Sequence, residues 1–256
     1  MSVIFTIARQ TVEDALNRKI LQFLLIGALA LIALGPTFNF LSPRESSTVL
    51  RSMGLAVILL AGLLITILMG IQAIPIEIER RTIYTILSKP VQRYEFILGK
   101  YLGGIFTVFI NIFAMGIVFL GVLYWQERHL APEMIKGVML TFFQMTLLGS
   151  VTIFFSTFAT PVVNFLLSFG IFLIGNLSGI TTSLTTNKNT ATRLLASIAH
   201  FLLPNFGNFN IQNKLIHPDI VITNENIFIR NNIIYAIIYS SFLLVLAILV
   251  FDRREV

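Results

Sequence analysis

The chain has 256 residues, of which 56% are apolar and only 12% are charged, whereas an ordinary soluble domain carries roughly 25% charge. So few charges cannot cover this much apolar surface in water, which excludes an ordinary soluble fold. The net charge of +6 comes from basic residues that lie between long uncharged stretches, where anionic lipid headgroups attract them. The absence of cysteine excludes disulfides and thiolate metal sites.

Five long stretches carry no Asp, Glu, Lys or Arg, and they supply the predicted membrane spans. They cover residues 20–43, 52–76, 101–126, 137–187 and 231–251. A spanning helix needs about 20 mainly apolar residues, so the fourth stretch is long enough for two helices. We expect that stretch to break between Ser156 and Pro161, because proline lacks the N–H of a helix interior and favours the first turn of a new helix.

The sequence therefore predicts an all-α polytopic membrane protein with six transmembrane helices in one domain, residues 1–256. The predicted spans cover residues 20–42, 52–75, 98–125, 135–158, 161–182 and 232–251. Six crossings place both ends of the chain on the same side. Ten basic residues then lie on that side, in short segments, against eight on the other side. The positive-inside rule therefore predicts a multi-pass protein of the inner or plasma membrane with cytoplasmic N- and C-termini.

Two segments outside the spans also have helical patterns. Residues 3–19 predict an amphipathic helix along the inner membrane surface, the alternative being a simple extension of the first span. Its apolar residues at helical spacing are Ile4, Ala8, Val12, Ala15 and Leu16. Residues 188–230 form an outer segment before the last span. Its apolar stripe, which ends at Pro204, predicts an outer-leaflet amphipathic or re-entrant helix.

The uncharged stretches hold no Asp, Glu, Lys or Arg, which argues against a proton-coupled carrier and a voltage-gated channel. No G-x-x-x-x-G-K-[ST] loop is present, so we expect no nucleotide site, no bound cofactor or metal, and no enzymatic activity in this chain. Neutral polar residues do occur in the spans, and interhelical hydrogen bonding is the favoured interpretation. The functional alternative is a translocation surface lined by Asn111, Gln144 and Asn164. Gly99 and Gly103 form a small-xxx-small pair that predicts close helix packing.

Residues 77–100 form the most charged segment of the chain. A short apolar stripe of Ile83, Ile86 and Leu87 lies on a helix whose other faces are charged. Pro90 ends that helix, because the residue before a proline is pushed out of the helical region, and a second helix is predicted to start near Arg93. A short charged helix over residues 76–89, held beneath the membrane between two spans, suits a soluble partner that pushes on it.

The pattern E-x-E-x-x-T-I-x-x-x-L-S-K-P-V-x-R-x-x-F-x-x-G-K in this segment resembles the signature of type-2 ATP-binding-cassette (ABC) exporter permeases. It is most similar to the branch linked to multicopper enzyme maturation. Many members have Gly-Thr where this chain has Arg81-Thr82. The resemblance covers nearly the whole chain, and it includes Leu203-Pro204-Asn205-Phe206 and the terminal Phe251-Asp252-Arg253-Arg254. Of these features, only the charged segment is specific to the family.

The resemblance implies a transmembrane subunit that pairs with a second permease copy, as a homodimer or heterodimer, and with two ABC ATPase subunits that bind ATP and Mg²⁺. In the family the charged segment is the coupling helix, which docks into a groove on the ATPase. The residues predicted to contact the ATPase are Glu77, Glu79, Arg80, Arg81, Thr82, Tyr84, Leu87, Lys89 and Arg93. The cargo would be a lipid-like or amphipathic solute, or a polymer.

Two other functions stay open from the sequence alone. One is a mechanical or assembly subunit that uses ATPase strokes to act on an outside partner without moving a solute, which the long outer segment motivates. The other is a stand-alone channel or carrier, which would support flux without any ATPase.

Overall fold

The structure is a computed structural model that describes residues 3–37, 46–75, 92–128, 132–176, 203–209 and 225–253. These residues form seven α-helices and two short 3-10 segments, one of which, at 35–37, continues directly from a helix, with no strand among them, so the predicted all-α class is confirmed. The helices are α1 Val3–Leu16, α2 Lys19–Leu34, α3 Ser46–Gln72, α4 Arg93–Glu127, α5 Pro132–Ser156, α6 Pro161–Asn176 and α7 Glu225–Asp252. The second 3-10 segment is the turn Gly207–Phe209.

Five helices are long and apolar enough to cross a membrane: α2 with its extension to Thr37, α3, α4, α5 and α7. The helix α6 has 16 residues in the described part of the chain, which is short of a spanning length. Residues 177–182, which complete the predicted fifth span, lie outside the described residues. The structure therefore supplies five of the six predicted helices at spanning length, and the span at 161–182 stays a prediction.

The predicted break between the fourth and fifth spans is confirmed. Helix α5 ends at Ser156 and α6 begins at Pro161. Proline fits there because its missing N–H lies among the first-turn groups that have no partner within the helix. Three residues later, the Asn164 N–H donates to Thr160 O at 2.9 Å, which is a regular hydrogen bond of an α-helix.

Helices α3 and α5 form the centre of the bundle, and α2 and α7 lie at its edge. Helix α5 packs against α3, α4, α6 and α7. Small residues allow the closest contacts: Gly70 of α3 faces Thr152 of α5, and Gly54 of α3 faces the ring of Phe119 on α4. The edge helices expose large apolar side chains, with Phe23 72% exposed and Ile238 64% exposed. In a bilayer this apolar surface faces lipid.

Helix α1 packs along the first turns of α4, over the predicted glycine pair. A Cβ atom at Gly103 would lie 2.6 Å from the carbonyl oxygen of Ala8, and one at Gly99 would lie 2.8 Å from Ile7. The predicted close packing is therefore confirmed. The contact face of α1 differs from the predicted stripe, since Thr11 is buried while Leu16 is 44% exposed. Local spacing could not reveal this, because α1 is apolar on two faces and only the docking on α4 selects one.

The two ends of the bundle are held by different contacts. At the α1 end, Arg18 at the start of α2 donates a hydrogen bond to Gln72 Oε1 at the end of α3. At the opposite end, called here the distal end, α3 begins and α4 ends, and Arg51 forms a bidentate pair with Glu127 at 2.9 and 2.5 Å. Lys136 and Glu225 join α5 to α7 at the same end, 3.2 Å apart.

Replacing Gly103 with alanine should destabilise the protein by about 1–3 kcal/mol, because the methyl group would push α1 away from α4. The adjacent Gly104→Ala variant is the matched control, since a Cβ atom there meets nothing within 4 Å. Thermal unfolding in lipid nanodiscs and proteolysis within α1 would measure the difference. Equal stability of the two variants would contradict the docking of α1 on Gly103.

Candidate functional site

The predicted ATPase contact lies almost entirely outside the described residues. This applies to the coupling helix at 76–89 and to eight of the nine predicted contact residues, namely Glu77, Glu79, Arg80, Arg81, Thr82, Tyr84, Leu87 and Lys89. Their role in a contact therefore stays a prediction. The structure does show how the chain is held on both sides of this segment.

Arg93 is the one predicted contact residue that the structure describes, and it is the first residue of α4, as predicted for the helical restart. The N–H of the preceding Gln92 donates to Glu95 Oε2 at 3.0 Å, which satisfies a free amide at the helix start. The Arg93 guanidinium donates from Nη1 to the carbonyl oxygens of Phe251 and Asp252 at 2.9 and 3.0 Å. Its carbon Cζ also lies 5.8 Å from the centre of the Phe251 ring. Arg93 thus ties the start of α4 to the end of α7.

Both flanks of the 76–91 segment rest on one apolar cluster, called here the basal cluster. Its buried members are Ile74, Phe96, Ile97, Tyr101, Ile153, Leu244, Ala247 and Phe251. Ile74 lies shortly before the segment and is fully buried, while Phe96 lies shortly after it and stacks on Phe251 with ring centres 6.1 Å apart. The cluster joins the ends of α3, α5 and α7 to the start of α4. Helix α1 and the end of α7 therefore lie at the same end of the bundle.

The three residues predicted as a possible translocation surface, Asn111, Gln144 and Asn164, are buried within the chain, and their role in translocation stays a prediction. Asn111 is 3% exposed, and its Nδ2 donates to Thr107 O of its own helix at 2.8 Å. Asn164 is fully buried, and its Nδ2 donates to Thr152 O at 2.9 Å, which closes the α5–α6 turn. Asn164 also accepts a hydrogen bond from Ser168.

Gln144 joins three segments that are far apart in sequence. It is fully buried near the middle of α5, and its Nε2 donates to Asn176 Oδ1 at 3.3 Å and to Phe206 O at 3.2 Å. Asn176 ends the described part of α6, and Phe206 precedes the 3-10 turn of the outer segment. Among the described residues, these contacts support interhelical bonding, the favoured interpretation of the buried amides.

Residues 203–209 of the outer segment lie against the bundle at the level of Gln144. Phe206 is fully buried and its ring lies 5.3 Å from that of Phe172 on α6. The N–H of Asn205 donates to the Tyr235 hydroxyl at 3.0 Å, and Asn232 donates to Asn208 O at 3.0 Å, so α7 also holds the segment. The predicted outer-leaflet or re-entrant helix, whose apolar stripe ends at Pro204, lies almost entirely outside the described residues and stays a prediction.

Lys100 is a buried cation that the sequence analysis did not single out. The predicted uncharged stretch begins at Tyr101, but α4 begins at Arg93, so Lys100 lies about two turns inside the helix. It is 9% exposed, and its Nζ lies 5.7 Å from the Phe96 ring centre. Its position between Gly99 and Gly103 could have predicted its burial, because side chains beside a helix-packing face are often covered.

These features define a polytopic α-helical membrane protein whose buried polar side chains mostly bond within the bundle. In the described part of the chain, no group of three or more His, Asp or Glu side chains is placed to hold a metal ion. The chain matches the ABC-2 family transporter protein family over residues 3–256, and it belongs to that family. It is therefore a permease of the ABC transporter class. No curated protein matches it significantly.

Replacing Gln144 with leucine should destabilise the protein by about 1–2 kcal/mol, because Phe206 O would lose its buried donor. Asn111→Leu is the matched control, and it should change stability by less, since the Asn111 side chain donates to Thr107 O of its own helix. Thermal unfolding in nanodiscs would compare the two variants. A Gln144 variant as stable as the Asn111 variant would show that the bond to the outer segment contributes nothing.

Proposed function

We propose that the chain is the permease subunit of an ATP-driven exporter in the inner or plasma membrane. In this proposal, partner ATPase subunits bind ATP and Mg²⁺, and a second permease copy, identical or related, completes the transmembrane part. The coupling helix at 76–89 receives the movement of the ATPase. The main support from the structure is the basal cluster, which holds both flanks of that segment.

A movement of residues 76–89 would reach the bundle through the described residues on both sides of the segment. Pro75 follows the fully buried Ile74 directly, and on the other side Arg93 is bonded to the end of α7. Since close-packed interiors transmit displacement, a push on the segment would act on α3, α4, α5 and α7 together. A loop whose flanks were not packed on the bundle would transmit less of the same displacement.

The proposed orientation places the α1 end in the cytoplasm. The start of α2, the flanks of the 76–91 segment and the end of α7 all lie at that end, as an even number of crossings requires. The exposed apolar side chains Phe5 and Leu16 of α1 would then face the inner leaflet, while its opposite face is covered by α4. This agrees with the predicted interfacial position of α1.

The double variant Glu79→Ala with Arg80→Ala should bind the ATPase subunit much more weakly than the wild type. Affinity purification of the tagged wild-type chain from its native membrane is expected to recover an ABC ATPase, identified by mass spectrometry. The variant should recover about tenfold less, because truncating charge pairs in an interface costs several kcal/mol.

The matched control is Arg9→Ala with Glu13→Ala, which also removes one cation and one anion at the α1 end. That ion pair is solvent-exposed, with 67% and 59% of the two side chains accessible, so its loss should have little effect. Normal ATPase recovery and turnover with the Glu79 and Arg80 variant would refute the proposed coupling contact. Equal loss in both double variants would show a nonspecific effect of charge removal.

A further inference from the structure

The last turn of α7 needs hydrogen-bond donors from elsewhere. The final four carbonyl oxygens of an α-helix have no partner within the helix, and in α7 those of Phe251 and Asp252 belong to this group. A cation in the last turn often supplies the missing donors, but α7 has no basic residue there. Phe251 is only 1% exposed, so water has little access to this residue.

Arg93 of α4 supplies these donors. Its Nη1 donates to Phe251 O at 2.9 Å and to Asp252 O at 3.0 Å, and its Nε lies 4.0 Å from Asp252 Oδ1. The planar guanidinium carries five N–H donors, so one side chain can serve two carbonyl oxygens and still face a carboxylate. A cation at a helix C-terminus also interacts favourably with the helix dipole. Arg93 therefore caps a helix whose last turn lies 158 residues further along the chain.

Two aromatic rings fix the position of this guanidinium. Arg93 and Phe96 lie one turn apart on α4, and therefore on the same face of the helix. The Phe96 ring stacks on the Phe251 ring with centres 6.1 Å apart, and Cζ of Arg93 lies 5.8 Å from the centre of the same Phe251 ring. These residues, Arg93 and Phe96 of α4 with Phe251 and Asp252 of α7, are called here the α4–α7 clasp.

The clasp lies beside the segment that is proposed to meet the ATPase. Residues 76–91 join α3 to α4 along the chain, so a displacement of this segment reaches those two helices through covalent bonds. Helix α7 has no such connection and can follow only through noncovalent contacts. Among the described α4 residues that hold α7, Arg93 is the nearest to the segment in the chain, since it is the first residue of α4.

The start of α4 is stiff enough to carry this displacement. Gln92 and Glu95 form a complete capping box, in which each side chain accepts a hydrogen bond from the backbone N–H of the other residue. The box holds the first turn of the helix, which includes Arg93. A movement of the chain at Gln92 is therefore passed to Arg93 as a movement of the helix.

We propose that Arg93 is a positioning residue that makes α7 follow the movement of the coupling segment, and that it is not part of the surface that binds the ATPase. This inference rests on the proposed function. If the guanidinium turned toward the ATPase, the two carbonyl oxygens would lose their donor and the Phe251 ring would lose its cation. Arg93 therefore acts through α7, which sets it apart from the other eight predicted contact residues.

The clasp is tested first in the purified chain alone, in lipid nanodiscs, by hydrogen exchange of the last turn of α7. Arg93→Ala should raise the exchange rate of those amides about tenfold, because charge-assisted hydrogen bonds to the helix end are lost. Arg93→Lys keeps a charged donor without the planar fork, so it should raise the rate less. Arg9→Ala is the matched control, since it removes a cation with a 67% exposed side chain at the same end and should leave the rate unchanged. A wild-type rate in Arg93→Ala would overturn the clasp.

The positioning role is tested in the complex that the tagged chain recovers from its native membrane. Arg93→Ala should recover as much ABC ATPase as the wild type, whereas the Glu79 and Arg80 double variant should not. In the wild type, a non-hydrolysable ATP analogue with Mg²⁺ should change hydrogen exchange both at the start of α4 and at the end of α7. In Arg93→Ala only the start of α4 should respond to the nucleotide, and Arg93→Lys should restore part of the response of α7. A residue that only stabilised the fold would not separate the responses of the two helices.

Two results would refute the positioning role. One is a loss of ATPase from Arg93→Ala as large as that from the double variant, which would make Arg93 a contact residue. The other is a wild-type response of α7 to the nucleotide in Arg93→Ala. If Arg93→Ala does not fold, Arg93→Lys takes its place, with smaller effects expected in the same directions.

Failure of the proposed function gives a different result. In that case the wild-type chain itself recovers no ATPase, and the transmission of movement through Arg93 is refuted together with the proposed function. The exchange rates of the chain alone still show whether Arg93 holds the end of α7, because that measurement needs no partner.

Discussion

The bundle depends on close approach of helices at small residues, because lipid tails give apolar helices no hydrophobic reason to associate with one another. Dispersion contacts and buried hydrogen bonds must supply the attraction. Gly70 against Thr152, Gly54 against Phe119 and Gly103 against Ala8 are places where a side chain would separate two helices. The docking of α1 is the contact with the most consequences, since it joins α1 to α4 at Gly99 and Gly103 and contributes Ile7 to the basal cluster.

The two ends of the bundle are built for different mechanical behaviour. At the distal end, Arg51 and Glu127 form a bidentate pair whose side chains are only 20% and 7% exposed. Separating such a pair would leave a charge in poorly solvated surroundings, which is costly, so α3 and α4 are expected to stay together there. At the α1 end, an apolar cluster and a guanidinium bonded to carbonyl oxygens hold the helices around the 76–91 segment. Apolar contacts have little directional preference, so the four helices of the basal cluster can move together while they remain packed.

The outer segment bears on the alternative of a mechanical subunit. If that segment were a separate arm acting on an outside partner, its described part would stand apart from the bundle. Residues 203–209 instead pack on α5, α6 and α7, with Phe206 and Phe209 buried. A deletion that includes them would remove part of the bundle itself, so loss of activity would not isolate a role outside the membrane.

The sequence by itself determined the all-α class, the spanning lengths of α2, α3, α4, α5 and α7, the break at Pro161 and the close packing at Gly99 and Gly103. Each of these follows from local properties, namely hydrophobic length, the missing N–H of proline and the absence of a side chain. Only the tertiary structure decided which buried amide bonds to which segment, which face of α1 packs on α4, and that Lys100 is buried. Gln144 and Phe206 O are 62 residues apart, and no local pattern encodes such a pairing. Long-range contacts of this kind depend on how all the helices pack together, which is why the chain pattern revealed the polar residues but not their partners.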